Sequence, residues 1–373
     1  EHKTLEHTLR EFCKKEVLPF AGEWDRSGEI PAEIIGKLGM LGLMGVCVPE
    51  NYGGVGMDTV SYAIAIKEIA SADGSLALML ASHNSLCAGH ILLAGTEAQK
   101  RQYLPPMSSG EKIGAWCLTE PDSGSDAASM KSRAERVPGG WNINGTKMFI
   151  TQGSTADLYV LMAVTDRDKG KGGITAFVAE RDNRGLKPGK KLDKLGMRAS
   201  DTAEVAFDDM FLPADNVLGN VGGGFFDTLT VLSGGRISIA ALSVGIATGA
   251  LRESIQYAKE RQQFGKPISN FQAVQWLLAD ISTEIEAAWM LTLKAAYLKD
   301  AGKKYTREAS MAKLYASEMA MKATVKAVQI HGGYGYIEDY PVEKYMRDAK
   351  LCEIGEGTSE MQRIVIAKDL IRG

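Results

Sequence analysis

The stretch Cys352-Glu-Ile-Gly-Glu-Gly-Thr-Ser-Glu-Met-Gln-Arg363 joins two helical patterns near the end of the chain. Upstream, Pro341 begins a helix that runs to Cys352, and downstream Ser359 and Gln362 fit a capping box for the last helix. The joint itself, Gly355-Glu356-Gly357, places a carboxylate between two glycines. Bare backbone on both sides lets a ligand approach closely, and the helix N-terminus that follows favours anions. A ligand site and an ordinary polar turn between helices are both compatible with this pattern.

The chain around this stretch falls into three zones of different texture. Residues 1–115 carry apolar residues at helical spacing, and Asp58 is placed to cap one of the helices. Residues 116–221 show short apolar runs that predict a small barrel or sandwich, with a hairpin turn at Asn144-Gly145. Residues 222–373 have few helix breakers, which predicts a helical bundle. The predicted long helices cover residues 222–260, 269–302 and 305–331.

Length and composition limit the class of protein. A chain of 373 residues suggests two or three domains. The net charge of −3 excludes a generally basic coat for nucleic acid. The longest uncharged apolar stretch, residues 237–251, is shorter than the roughly 18 residues of a membrane span, so we predict a buried helix there and no membrane span.

The cysteines and histidines favour an intracellular protein without a metal centre. The five cysteines lie far apart with no Cys-x-x-Cys pair, which is typical of reduced thiols. The five histidines show no metal-ligand spacing. The opening residues show no signal or transit peptide pattern. We expect the protein in the cytoplasm of a bacterium or, alternatively, in the mitochondrial matrix.

Three further segments combine polar side chains with turn-forming residues. Trp116-Cys-Leu-Thr-Glu-Pro-Asp-Ser-Gly-Ser-Asp126 is either a loop that wraps a polar cofactor edge or a surface loop. Arg261-Gln-Gln-Phe-Gly265 lies at a helix end with Gly265 as the predicted stop, and its arginine would pair with a phosphate or complement the helix dipole. Gln329-Ile-His-Gly-Gly333 predicts a helix that ends in paired glycines. No segment has the glycine pattern of a Rossmann fold or a P-loop.

Taken together, these four segments, in this order on an α–β–α chain, resemble the acyl-CoA dehydrogenase family of flavoproteins. Thr119-Glu-Pro-Asp-Ser-Gly-Ser-Asp126, Gln329-Ile-His-Gly-Gly-Tyr-Gly-Tyr336 and Glu356-Gly-Thr-Ser-Glu-Met-Gln-Arg363 match the family's signatures. The resemblance covers essentially the whole chain. It implies an α+β multidomain fold with an N-terminal all-α domain (1–115), a middle antiparallel β-barrel domain (116–221) and a C-terminal four-helix bundle (222–373).

The same resemblance implies a reaction and its partners. The family uses FAD to dehydrogenate an acyl-CoA thioester between its α and β carbons, which yields the trans-2-enoyl-CoA. Electrons then pass to electron-transfer flavoprotein, and the enzyme is a homotetramer built from dimers. Ser82-His-Asn-Ser-Leu86 looks most like short-chain members. We therefore expect short- to medium-chain or branched acyl groups.

By this resemblance the catalytic base is Glu356. The residues implied to bind FAD are Trp116, Cys117, Leu118, Thr119, Ser123, Gly124, Ser125, Phe149, Ile150, Thr151, Arg261, Phe264, Gln272, Gln329, Ile330, His331, Gly332, Gly333, Thr358, Ser359 and Glu360. Of these, Arg261, Gln272 and residues 329–333 would reach FAD across the dimer interface. The residues implied to contact acyl-CoA are Ser125, Ser233, Arg236 and Gly357.

The chemistry explains what the base needs around it. The α-C–H of a thioester is a weak acid, so preorganised donors must stabilise the enolate oxygen. In the family these are the backbone N–H of the base residue and a flavin ribityl hydroxyl. A dry pocket raises the pKa of the carboxylate and with it the basicity towards carbon.

Three positions depart from the family pattern. Gly235 occupies the position where some members carry the base, so Glu356 is the only candidate for the base at these two positions. Ser233 replaces an acidic residue that helps to hold CoA in many relatives. Gly355 replaces an aromatic residue, which either opens the acyl pocket or leaves room that a neighbour fills.

Two alternatives use the same fold. One is a flavin oxidase or monooxygenase, against which the retained Glu356 argues. The other is a protein that binds nucleic acid without catalysis, against which the net charge of −3 argues.

Overall fold

A computed structural model describes residues 1–372, and its elements follow the predicted order of helices, strands and helices. The N-terminal helices are α1 His2–Glu16, α2 Ala21–Ser27, α3 Ala32–Met40, α4 Thr59–Ala70, α5 Gly74–Ala81, α6 Gly89–Ala94 and α7 Glu97–Ser108. A π-helical segment, Ser82–Ala88, joins α5 to α6. Asp58 caps α4 as predicted, because its carboxylate accepts a hydrogen bond from the Ser61 backbone N–H at 2.7 Å. Gly373, the end of the third predicted domain, lies outside the described residues.

The middle zone forms one eight-stranded sheet. Its strands are β1 Gly114–Cys117, β2 Arg133–Val137, β3 Gly140–Thr151, β4 Leu158–Val164, β5 Ile174–Glu180, β6 Leu186–Lys191, β7 Thr202–Pro213 and β8 Val217–Leu218. The hydrogen-bonded order is β6-β7-β3-β2-β4-β5-β8, with β1 pairing β4 in parallel. Most pairs are antiparallel, as the resemblance implies. Within residues 1–372 the end strands β6 and β8 do not pair with each other, so the barrel is open.

The predicted hairpin turn at Asn144-Gly145 is wrong. Both residues lie inside β3, where Gly145 pairs with Phe207 of β7 across a shift in register that marks a β-bulge. Gly145 has a φ of +153°, and a Cβ there would lie 2.2 Å from Ser132 Oγ. The glycine therefore serves a bulge and a close approach of the chain rather than a turn. The hairpin turn is Pro138-Gly139, between β2 and β3.

The C-terminal zone contains the three predicted long helices. They are α8 Gly224–Glu260, α9 Gln272–Asp300 and α10 Thr306–His331, followed by α11 Val342–Ile354 and α12 Ser359–Arg372. Residues 237–251 lie in α8 and are almost all buried, which confirms the predicted buried helix. The expectation that no stretch is long enough for a membrane span is wrong, because Gly74–Ala94 and Gly224–Glu260 are both long and apolar enough to cross a membrane. In the structure, 72% and 83% of their most apolar stretches are buried in the protein, as in core helices. Short 3-10 turns occupy Leu43–Gly45, Glu50–Tyr52, Ala127–Ser129, Arg167–Gly173, Ala214–Asn216, Ile268–Asn270 and Gly332–Tyr336.

A short hairpin after α8 corrects the prediction for Gly265. The helix ends at Glu260, and β9 Gln262–Gln263 pairs antiparallel with β10 Lys266–Pro267. Phe264 and Gly265 form the turn between them, with φ values of +52° and +78°. Two consecutive residues with positive φ are typical of a two-residue hairpin. The glycine therefore forms this turn and does not end the helix.

Glycines in α8 let this helix lie directly on α4. A Cβ on Gly245 would come within 2.3 Å of the Lys67 carbonyl oxygen, and one on Gly249 within 2.4 Å of the Ser71 carbonyl oxygen. Because no side chain separates the two backbones, the position of α8 is fixed against the N-terminal helices. One hydrophobic core joins these N-terminal helices to α8, α9, α10 and α11.

Candidate active site

The turn between α11 and α12 holds Glu356 in a strained backbone conformation. Glu356 has a φ of +53° and Gly357 one of +93°, both in the left-handed region that non-glycine residues rarely adopt. Two side chains fix the turn. Lys313 Nζ donates to the Gly357 carbonyl at 2.7 Å, and Gln362 Nε2 donates to the same oxygen at 2.8 Å. Such strain costs about 1–3 kcal/mol and persists where surrounding contacts determine the conformation, often at functional sites.

The capping box predicted at Ser359 and Gln362 is wrong by one residue. Thr358 caps α12, because its Oγ1 accepts a hydrogen bond from the Met361 N–H at 3.3 Å. Threonine and serine both favour the N-cap, so adjacent copies cannot be told apart by pattern. Gln362 instead bonds the carbonyls of Glu356 and Gly357. Within residues 1–372, Ser359 Oγ and Gln362 Oε1 are buried without a partner.

The Glu356 carboxylate lies against the bare backbone of α8. A Cβ on Gly235 would come within 1.9 Å of Glu356 Oε2 and within 3.1 Å of Leu86 Cδ2. The carboxylate therefore occupies the space that a side chain at position 235 would need. Oε2 is buried and has no hydrogen-bond partner among the described residues. Burial raises the pKa of Glu356 to about 7, against the opposing effects of Lys313 and Arg236. A carboxylate that titrates near neutral pH is suited to remove a proton.

Two buried cations flank this carboxylate. Arg236 of α8 donates from one guanidinium nitrogen to Ser310 Oγ at 3.3 Å, and its Nε has no partner in the described part of the chain. Lys313 of α10 is fully buried. Burial lowers the pKa of both groups, that of Lys313 to about 8. Ser233, also on α8, donates its hydroxyl to the Leu229 carbonyl at 2.9 Å, so this group is satisfied within its own helix.

A buried ion pair ties the Thr119 segment to β3. Lys147 is fully buried, with Nζ 2.8 Å from Glu120 Oε1 and 3.0 Å from the Leu118 carbonyl oxygen. The Met148 N–H also donates to the Thr119 carbonyl at 2.8 Å. These contacts place residues 118–120 next to Phe149, which has a φ of +59° and is 63% exposed.

Trp116 connects this region to the helices near Glu356. Its indole N–H donates to His90 Nδ1 at 3.0 Å, and its ring lies in a hydrophobic cluster that also contains Leu86 and Leu118. Leu86 is the side chain that lies beside the Gly235 backbone. The middle zone and the turn at Glu356 are therefore linked through packed apolar side chains.

A second group of predicted residues lines a cavity of about 510 Å³ between the ends of α8 and α10. Arg261 and residues 330–333 line it together with Tyr257. The His331 ring stacks on Tyr257 with ring centroids 4.2 Å apart. No heavy atom lies within 4 Å of the Cβ positions of Gly332 and Gly333, so their backbone is open to a ligand.

The structure does not join every predicted residue to these two sites. Phe264, Gln272 and Gln329 are exposed and do not line the cavity. In the Thr119 segment Ser123 is buried, whereas Gly124 and Ser125 are exposed. Cys117 lies buried in β1, Ile150 and Thr151 lie in β3, and Glu360 is exposed at the start of α12. One chain thus gathers Glu356, Arg236 and Gly357 at one place, and Arg261 with residues 330–333 at another.

Two lysines at these sites were missed, although the sequence carries a signal for each. Lys147 has the same parity along β3 as the buried Trp141 and Ile143. Lys313 lies on the buried alanine face of α10. A charge at an inward-facing position of a strand or helix requires a polar partner, which marks it for attention.

Known protein families match the chain over most of its length. The N-terminal domain of acyl-CoA dehydrogenases matches residues 1–111, the middle domain matches residues 115–210 and the C-terminal domain matches residues 222–371.

Individual proteins are similar over the full chain. A short-chain specific acyl-CoA dehydrogenase of Clostridium acetobutylicum is 47% identical over 372 residues, which is 100% of this chain and 98% of that protein. The solved butyryl-CoA dehydrogenase of Megasphaera elsdenii has a TM-score of 0.97 and 44% identity, over 100% of this chain and 98% of that one. A chain in a structure described as the electron transferring flavoprotein of Acidaminococcus fermentans has a TM-score of 0.98 and 44% identity, over the same shares.

Proposed function

This chain belongs to the acyl-CoA dehydrogenase family, and we propose that it oxidises short- to medium-chain or branched acyl-CoA thioesters with Glu356 as the base. As a family member it is an FAD-dependent oxidoreductase that forms a double bond between the α and β carbons of an acyl-CoA. One observation carries the choice of base. The Glu356 carboxylate is buried at Oε2 without a partner in residues 1–372, and its pKa is raised to about 7.

Glu356 supplies both a base and a donor from one residue. Its carboxylate takes the α-proton of the substrate, which requires the ionised form that predominates above about pH 7. Its backbone N–H donates to no acceptor within residues 1–372, so it is free to bond the thioester carbonyl as negative charge develops there. The left-handed turn is what presents these two groups together.

The residues at the site fit FAD. Ser359 and Gln362 leave buried polar atoms without partners in the described chain, next to the partly buried turn at residues 355–358. A polar, extended cofactor satisfies such groups. We propose that residues 116–125, 149–151 and 358–360 hold FAD in one protomer. When bound, FAD supplies the oxidising power by accepting the β-hydrogen as a hydride.

A second copy of the chain completes the cofactor site in this proposal. The cavity of Arg261 and residues 330–333 would take the distal part of a partner's FAD, with the guanidinium placed for its pyrophosphate. Phe264 and Tyr336 are 93% and 85% exposed in the single chain. Large exposed apolar side chains of this kind support a surface that a second copy covers. We propose a homotetramer built from dimers, located in the bacterial cytoplasm.

The size of the acyl group depends on the space around Gly355 and Leu86. The three atoms nearest to a Cβ on Gly355 all belong to Leu351, at 3.5 Å or more, and the φ of −67° does not require glycine. Gly355 is therefore not required for its backbone angles, and room for a branched group remains the proposal. Leu86, on the π-helical segment, lies on the α8 side of Glu356 and supports a short pocket.

A panel of substrates and acceptors tests this function. We expect butyryl-CoA and branched short-chain acyl-CoAs to give a kcat/KM about 10-fold or more above that of palmitoyl-CoA, because a short pocket excludes the long chain. Purified electron-transfer flavoprotein should accept the electrons. Preference for palmitoyl-CoA would refute the chain length. Stoichiometric hydrogen peroxide with oxygen as the acceptor would instead indicate an oxidase.

A further inference from the structure

Lys313 is a charge at a place where α10 otherwise buries small residues. Ala309, Ala312 and Ala316 form the buried face of this part of the helix, and Lys313 lies among them, fully buried. Its hydrogen bond within residues 1–372 goes to the Gly357 carbonyl, and no carboxylate of the described chain forms an ion pair with it. Burying an ammonium group without a carboxylate partner is costly. A structural role alone leaves this cost unexplained.

We propose that Lys313 is a positioning residue of the active site, whose ammonium fixes the turn that carries Glu356 and favours the charged form of that carboxylate. This inference rests on the proposed role of Glu356 as the base.

The hydrogen bonds at the turn support the first half of the proposal. The Gly357 carbonyl oxygen accepts from Lys313 Nζ at 2.7 Å and from Gln362 Nε2 at 2.8 Å, so both of its lone pairs are engaged. Glu356 and Gly357 have φ values of +53° and +93°. Holding this carbonyl fixes the peptide between Gly357 and Thr358, which anchors the C-terminal side of the turn that carries the Glu356 side chain.

The charges around the turn support the second half. The titratable and charged groups that interact with Glu356 or Lys313 are Tyr62 of α4, Arg236 of α8, Cys352 and Glu353 of α11, and Glu360 of α12. Tyr305, before α10, interacts with Arg236. Burial raises the pKa of Tyr62 and of Cys352, so both are neutral near pH 7. Arg236 and Lys313 are the cations of this set. Burial raises the pKa of Glu356, and Lys313 opposes that rise more than Arg236 does.

The test compares pH profiles of kcat/KM for butyryl-CoA in the FAD-loaded enzyme. Lys313→Met fills the same volume without charge, and loss of a nearby cation favours the protonated carboxyl. The rising limb of the profile, expected near pH 7 in the parent enzyme, should therefore move up by about one pH unit. Lys313→Arg retains the charge and should keep the parent limb. Lys326→Met is the control, because Lys326 lies on the same helix but pairs with Asp280 at 3.6 Å near the surface.

Each outcome decides between a positioning and a structural role. An equal loss of activity at every pH, with an unmoved limb, would reduce Lys313 to a structural residue and overturn the proposal. A limb that moves equally in Lys326→Met would overturn it as well. If Lys313→Met does not fold, as judged by flavin content and circular dichroism, Lys313→Gln replaces it with the same shift expected.

Glu356→Gln separates this inference from the proposed function. If that variant keeps the parent activity and limb, the base is wrongly assigned and the Lys313 proposal falls with it. If that variant is inactive while the charge-removing Lys313 variant leaves the limb unmoved, only the Lys313 proposal fails.

Discussion

Two buried lysines on neighbouring helices place the same charge in different surroundings. Lys344 of α11 is held between Asp73 and Asp348, with Nζ 2.7 Å from a carboxylate oxygen of each. Lys313 of α10 is equally buried, but it reaches a backbone carbonyl instead of a carboxylate. The nearby Glu356 keeps Oε2 without a partner in the described residues. We call the Lys344 cluster complete, because its lysine is paired with two carboxylates. We call the Lys313 cluster open, because neither its ammonium nor the Glu356 carboxylate forms an ion pair in the described residues.

The pKa values of the two lysines move in opposite directions. Burial disfavours the charge on both. At Lys344 the carboxylates of Asp348 and Asp73 outweigh burial and raise the pKa, whereas burial lowers the pKa of Lys313 to about 8. The other oxygens of the two aspartates accept backbone N–H groups of Leu76 and Met197. Removing one member of a complete buried cluster destabilises the fold, whereas an open cluster has polar groups left for a ligand or a proton.

Lys344→Met should damage the fold more than any other change considered. It leaves Asp73 and Asp348 as buried carboxylates without a cation, so we expect the free energy of unfolding to fall by about 3–5 kcal/mol. Urea denaturation followed by tryptophan fluorescence measures this loss.

Lys313→Met is the matched variant for that experiment. It removes one hydrogen bond to a carbonyl that Gln362 still satisfies, and it also removes the cost of burying the ammonium, so we expect a loss of at most about 1 kcal/mol. Similar losses in the two variants would contradict the distinction between a complete and an open cluster.

Gly235→Ala adds a methyl group on α8 next to the Glu356 carboxylate of the open cluster. The added methyl would lie 1.9 Å from Glu356 Oε2, so the carboxylate has to move. A misplacement of about 1 Å costs about 10²-fold in rate, and we expect kcat for butyryl-CoA to fall by that factor with unchanged flavin content.

Gly234→Ala is the control on the same helix. Its methyl would meet Lys299 Nζ at 3.3 Å, the mobile end of a long side chain, so kcat should stay close to that of the parent enzyme. If both alanines lowered kcat equally, strain in α8 rather than the position of the carboxylate would be responsible.

The sequence predicted the helices and the turn at Glu356 well, because those features depend on long periodic patterns and on glycine. The long helices of the third zone begin and end within a few residues of the predicted positions. The buried helix at residues 237–251 and the cap at Asp58 are confirmed.

The errors come from signals that two structures share. Asn-Gly fits a hairpin turn, but at Asn144-Gly145 tertiary pairing with β7 made it a bulge. A predicted turn there interrupts the inward and outward alternation of side chains along β3, so Lys147 was not identified as an inward-facing charge. Gly265 carried a correct signal for positive φ, which a hairpin used instead of a helix end. Neither error could be resolved without knowing which strands pair.

The partners of buried charges were the part least accessible from sequence. The buried face of α10 identifies Lys313 as unusual, but its contact is a carbonyl 44 residues further along the chain. Contacts of that kind depend on how helices dock, which a single sequence does not encode locally.

The role of Glu356 is open to a direct measurement. FAD-loaded Glu356→Gln is mixed with butyryl-CoA in the absence of oxygen, and the flavin absorbance is followed in time. The variant keeps the size of the side chain and removes its basicity, so acyl-CoA should bind while flavin reduction slows by about 10²-fold or more. Glu33→Gln, on α3 and ion-paired with Lys37 at the surface, should react at the parent rate. Reduction of the Glu356→Gln flavin at the parent rate would place the base elsewhere and contradict the mechanism.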